Sequence, residues 1–231
     1  MRGLFVTGTS TGVGKTVIAA GLAWALRRRS DVGVMKPFAT ANRPFSKRYK
    51  SKDAALLVRA SGVKDPDDEV NPFFYSLAAS PLVAAQVRNE SPPNIEKALQ
   101  ILQNLAKKHD FVIVEGIGGI MVPLTENVFV ADFAKRTGLP AVIVTTPILG
   151  TLNHTLLTVM SCRKCNIDIK GIIVNKMPKK PNIVEQKVPE MIEKFTGVRV
   201  LGSVPFSREA NHVTIGKMLE KAIDIDSLLV M

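Results

Sequence analysis

Two lysines, two carboxylates and a run of small residues carry the chemistry available to this sequence. The run is Gly8-Thr9-Ser10-Thr11-Gly12-Val13-Gly14-Lys15-Thr16. It follows the apolar Leu4-Phe5-Val6 and precedes an apolar periodicity from Val17 to Leu26, so a strand, a glycine-rich loop and a helix are expected in that order. Glycines let backbone N–H groups turn onto phosphate oxygens. The helix start adds unpaired donors and the positive end of its dipole. Lys15 is placed to reach the outer phosphates, and the Thr16 hydroxyl to meet Mg²⁺. The usual first glycine of such a loop would fall at Thr9, and the chain has Gly8 instead, so this is a variant one residue longer.

The remaining reactive groups stand at the ends of other predicted strands. Lys36 ends Val32–Met35, where Pro37 stops regular pairing. Glu115 ends the doubly apolar strand Phe111–Val114 and runs into Gly116-Ile117-Gly118-Gly119, a position that suits a Mg²⁺-binding acid. Asp53 sits in the first turn of a helix opened by Ser51, where it serves either the helix dipole or a metal. Asn175-Lys176 follows the strand Gly171–Val174, and Val204-Pro205-Phe206 closes the last strand, which begins at Val200. A strand at 141–144 and helices near 81–85, 95–108, 130–137, 153–160, 183–195 and 215–223 fill the intervals; Ser80-Pro81 is a good helix start.

Strands alternate with helices from end to end. This predicts an α/β fold over residues 1–231, one domain, with a mainly parallel sheet covered by helices on both faces, of the P-loop NTPase kind. In such a sheet the C-terminal strand ends share one edge, and ligands bind there. The loop, Lys36, Glu115, Asn175 and Val204–Phe206 are therefore expected in one place. Asn175-Lys176 begins like the Asn-Lys-x-Asp motif of guanine readers, but the fourth position is Pro178. Without that carboxylate, adenine is the expected base and ATP the expected nucleotide. None of the three histidines, His109, His154 and His212, stands beside a nucleophile, so a Ser/His/Asp hydrolase is unsupported. Positioning and charge neutralisation at a transferring phosphoryl group remain.

Net charge is +11, from 31 basic and 20 acidic residues. The basic clusters lack interleaved aromatics, and Tyr and Trp together number three, so an anionic small molecule is expected rather than nucleic acid. The basic stretch at residues 41–52 has no apolar periodicity and reads as a solvated loop, with a lid over phosphates as the alternative. No apolar run approaches the ~18 residues a membrane helix needs, and no leader pattern opens the chain; a cytoplasmic protein with no membrane partner is expected. The two cysteines, Cys162 and Cys165, lack a second pair for zinc and read as free thiols near a helix end.

In order and spacing these residues resemble the dethiobiotin synthetase family. The match spans nearly the whole chain: the Gly8–Thr16 loop, Met35-Lys36-Pro37, Asp53 in Lys-Asp-Ala-Ala, Ser80 to Ala85, Val114-Glu115-Gly116 with Gly118-Gly119, Gly150 with Asn153-His154, Val174-Asn175 and Val204-Pro205. Ser10 stands where the family usually has Asp, Gly12 where it often has Glu, and Thr40 where Ser is common. The resemblance implies an ATP- and Mg²⁺-dependent ligase that converts 7,8-diaminopelargonate and CO₂ to dethiobiotin through a carbamate and a mixed carbamic-phosphoric anhydride. It implies Lys15, Lys36 and Thr11 as catalytic residues and Thr16, Asp53 and Glu115 as holders of Mg²⁺. It assigns the nucleotide to Gly12–Val17, Asp53, Glu115 to Gly118 (with Ile117), Asn175, Lys176, Val204–Phe206 and Asn211. It gives the substrate to Thr40 and to Gly150, Thr151, Leu152 and Asn153 of a second subunit in a homodimer. A partitioning or switch ATPase of the related P-loop group is the other reading. Such proteins usually carry an extra lysine early in the loop, about where Ser10 stands.

Overall fold

The computed structural model describes residues 1–207 and 211–229. Six strands form one wholly parallel sheet: β1 (Gly3–Gly8), β2 (Val32–Met35), β5 (Phe111–Glu115), β6 (Ala141–Thr145), β7 (Ile169–Met177) and β8 (Val200–Pro205), in the spatial order β2-β5-β1-β6-β7-β8. The strands are apolar on both sides because both sides are covered. Leu4 and Val6 of β1, with Phe111 and Ile113 of β5, face one core, shared with helices α1 (Lys15–Leu26), α2 (Lys52–Ser61) and α9 (His212–Ala222). Phe5, Val112 and Val114 face the other, shared with α5 (Ile95–Lys108), α6 (Val130–Thr137), α7 (Thr151–Lys164) and α8 (Ile183–Thr196).

Caps fix most helix starts as the sequence indicates. Ser51 accepts from the Ala54 amide, and Ser80 accepts from Val83 with Pro81 as the first residue of α4 (Pro81–Arg88). Five elements depart from expectation. A second, two-stranded parallel sheet joins β3 (Phe38–Thr40) to β4 (Phe73–Tyr75), and a single turn, α3 (Asp67–Val70), precedes it. Both strands directly follow a proline, which cannot donate into a ladder but is tolerated just ahead of a strand. β7 does not stop at Val174 but continues through Asn175 to Met177. α7 starts at Thr151, two residues before Asn153, because Gly150 caps it in the left-handed region at φ 89°.

Among the described residues no helix is long and apolar enough to cross a membrane. Cys162 is fully buried in α7, and burial pushes its thiol up to about 12, while Cys165, at the end of that helix, is half-buried. One thiol of the two is therefore expected to react with an aromatic disulfide reagent in the native protein, and both after denaturation. Two fast-reacting native thiols would contradict this packing.

Candidate active site

The sheet order puts β1 where the chain switches direction of growth. β2 lies to one side of it beyond β5, and β6, β7 and β8 follow on the other. Open α/β sheets bind ligands at that switch, outside the C-terminal strand ends. A cleft of about 650 Å³ opens there. Thr11, Gly12, Gly14, Lys15, Thr16 and Val17 line it, together with Lys36, Ala39, Thr40, Asp53, Glu115, Ile117 and Gly118.

Four of these side chains form one charged network. Lys36, 2 % exposed at the end of β2, donates to Glu115 Oε1 at 2.7 Å and to the Gly116 carbonyl at 2.8 Å, with Asp53 Oδ2 at 3.5 Å. Thr16 Oγ1 donates to the same Glu115 oxygen at 2.7 Å. Burial by itself lowers the Lys36 pKa, but Glu115 and Asp53 outweigh it and raise it above the ordinary lysine value, so the ammonium stays charged. Burial pushes the Glu115 carboxyl up, and Lys36 pulls it back only in part. Its second oxygen, Oε2, is buried with no protein partner. A buried, unpartnered carboxylate oxygen beside a threonine hydroxyl fits a hard divalent cation. Among the described residues no cluster of three or more His, Cys, Asp or Glu could hold a metal alone. Thr16, Asp53 and Glu115 would thus share Mg²⁺ with phosphate oxygens and water, its usual manner in nucleotide sites.

Lys15 is 7 % exposed, and its Nζ donates to the Ser10 carbonyl at 3.0 Å. Burial, then the Lys36 charge, lowers its pKa to about 8. The ammonium is the form that holds phosphate, so ATP affinity of the free protein is expected to fall as pH rises through about 8. Lys15→Arg should flatten that profile, since guanidinium stays charged. The sign for stability is opposite. Between pH 8 and 10.5 the unfolded chain holds this proton and the folded one does not, so the nucleotide-free fold gains stability there. Calorimetric titrations with ATP and melts across that range check both.

Behind the loop lies a narrower, mostly apolar slot lined by Val17, Asn175, Lys176, Val204, Pro205 and Phe206. It suits a planar base. Asn211 does not line it; its side chain caps α9, Oδ1 accepting from Thr214 N at 2.9 Å. Gly150 to Asn153 begin α7 and do not line this cleft; Thr151 and His154 instead line a second cavity of about 240 Å³ on the same loop, with Thr9, Thr11, Gly12 and Val13. Thr151 is buried, bonded at 2.8 Å to Thr145 Oγ1, which also meets Thr9 and Thr155. Ala78, Ala79, Ser80 and Val122, which no sequence argument had placed in the site, complete the cleft. The cap Ser80-Pro81 was the available signal. It marks a helix start just beyond β4, but β4 itself was not legible as a strand.

The family described as AAA domain matches residues 2–214. An ATP-dependent dethiobiotin synthetase of Nitrosopumilus maritimus is 41% identical over 230 residues, 99% of this chain and 100% of the relative. That of Bacillus subtilis is 38% identical over 230 residues, 99% and 98% of the two chains. The chain belongs to the dethiobiotin synthetase family. Two solved structures extend the comparison from the synthetase sequence to its fold. A ParA family ATPase of Chlorobium tepidum is 21% identical, with TM-score 0.56, covering 100% of this chain and 99% of that one. The septum site-determining protein MinD of Pyrococcus horikoshii, complexed with Mg-ADP, is 19% identical, with TM-score 0.59 and coverage of 99% and 94%. At such identity the likeness shows a P-loop ATPase fold and nothing of the activity.

Proposed function

We propose that the chain is an ATP-dependent cyclo-ligase of biotin biosynthesis that closes the cyclic urea of dethiobiotin from 7,8-diaminopelargonate and CO₂. One substrate amine adds to CO₂ and loses a proton, giving a carbamate. The carbamate oxygen takes the γ-phosphoryl group of ATP, releasing ADP. The second amine attacks the carbonyl carbon of the anhydride; the ring closes and phosphate leaves.

The observation that carries this reading is the pair of buried ammonium groups, Lys15 and Lys36, that line one cleft. Carbamate and γ-phosphate are both anions, and their approach needs positive charge in a site with little water. Lys15 and Lys36 supply it, and Thr11 and Thr40 offer hydroxyls to the carbamate and the amines. Mg²⁺ on Thr16, Asp53 and Glu115 would neutralise phosphoryl oxygens. The start of α7 offers amides to the substrate's carboxylate tail. Because it lies outside its own chain's cleft, it would serve a partner's, in a homodimer. Ile148, Leu149, Leu157 and Met160 around that helix are exposed apolar side chains, as a face covered by a second copy requires.

Incubation with ATP, Mg²⁺ and bicarbonate should give ADP only when the diamine is added, together with a product of dethiobiotin's mass. ADP release without the diamine, or DNA-stimulated turnover, would reject the assignment.

A further inference from the structure

Two hydrogen bonds cross from the end of β7 to the back of the phosphate loop. Asn175 Nδ2 donates to the Val13 carbonyl at 2.8 Å, from a side chain only 3 % exposed. Lys176 Nζ donates to the Gly12 carbonyl at 2.6 Å. Lys176 does so from a left-handed backbone, φ 59°, which a non-glycine residue adopts at a cost. Between them lies Gly14, φ 94°, where a Cβ would stand 2.2 Å from Asn175 Nδ2. Loop and dipeptide are thus in direct contact, with no room for a side chain between them.

The consequence follows from the planarity of the peptide. In a trans unit the N–H points opposite to the preceding carbonyl, and the described residues have no cis bonds. With the carbonyls of Gly12 and Val13 both turned back toward β7, the N–H groups of Val13 and Gly14 turn the other way, away from β7, and Gly12 and Gly14 line the cleft. We infer that Asn175 and Lys176 are positioning residues that aim two successive loop amides at the phosphates, in addition to any contact with the base. The inference rests on the nucleotide reading of the cleft but not on the carboxylation chemistry. Preset amides hold an anion without first having to reorient.

A base-free ligand separates this role from base recognition. Binding of ATP and of inorganic tripolyphosphate, both with Mg²⁺, is measured by calorimetry on the full chain and on Asn175→Ala, Lys176→Met and Lys176→Arg. Asn175→Ala should weaken both ligands by the same factor, about tenfold, and Lys176→Met by a smaller common factor, about threefold, since its bond is exposed. Lys176→Arg should restore both affinities. Loss of ATP affinity with tripolyphosphate unchanged would overturn the inference, as would no change in either. Lys176→Met alters an exposed side chain, so its result stands even if Asn175→Ala fails to fold. A parent protein that binds neither ligand would instead overturn the nucleotide reading itself.

Discussion

Lys36→Ala is expected to lower turnover by about two to three orders of magnitude while weakening ATP binding only modestly. The size follows from what one preset charge does for a transferring group in a water-poor site. The asymmetry follows from the proposed roles: the loop amides and Lys15 would hold ATP, whereas Lys36 would meet the group in transfer; both lysines line the cleft. A second effect accompanies the first. Lys36 is the buried counter-charge of Glu115 at 2.7 Å, and without it burial pushes that carboxyl further up. The variant should therefore need more Mg²⁺ and unfold at lower temperature, because breaking one side of a buried pair costs up to about 3–5 kcal/mol. Steady-state rates, nucleotide titrations and melts on the same preparation decide the matter. Parallel losses in ATP affinity and in turnover would contradict the role.

Glu115→Gln should be nearly as severe, by the mirror of that argument. Glu115 and Asp53 are what keep Lys36 protonated against burial. An amide carries no charge, and Asp53 alone stands 3.5 Å away and is partly exposed. The ammonium is then expected to hold its proton less firmly, and the site loses the carboxylate charge that a cation would meet. Turnover should fall by about two orders of magnitude or more, and added Mg²⁺ should not recover it. Recovery at high Mg²⁺ would mean that Glu115 only tunes affinity. Glu115→Asp keeps the charge but shortens the reach, so partial activity restored by extra Mg²⁺ is the expected contrast.

Most of the cleft was legible because its parts obey local rules. A glycine-rich loop before a helix, an apolar strand ending in Glu115 and a strand halted by Pro37 each announce themselves within a few residues. Their convergence then needs only a parallel sheet, which the alternation of strands and helices predicts. The pair β3–β4 was hidden for the converse reason. Three residues behind a proline make no periodicity, and the pairing of Phe38 with Phe73 joins segments far apart in sequence. The second job of Asn175 was hidden too. Its residue type suits an adenine edge, and nothing nearby in sequence shows that the Val13 carbonyl would lie 2.8 Å from its amide. That Thr151 packs behind its own chain's phosphate loop, through Thr145 to Thr9, is likewise a tertiary contact on which periodicity is silent.

The wholly parallel sheet governs how the chain comes together in time. Its central strand, β1, is made first, yet Leu4 pairs with Ile113 and Gly8 with Val144. The ribosome must release more than half of the polypeptide before the amino-terminal strand has both neighbours. Until then Leu4, Phe5 and Val6 have no sheet to enter. Closing such long loops ahead of any reward slows acquisition of the native state and prolongs exposure of sticky segments. Nascent chains stalled before residue 111 should therefore remain protease-sensitive throughout, and those released beyond residue 145 should not.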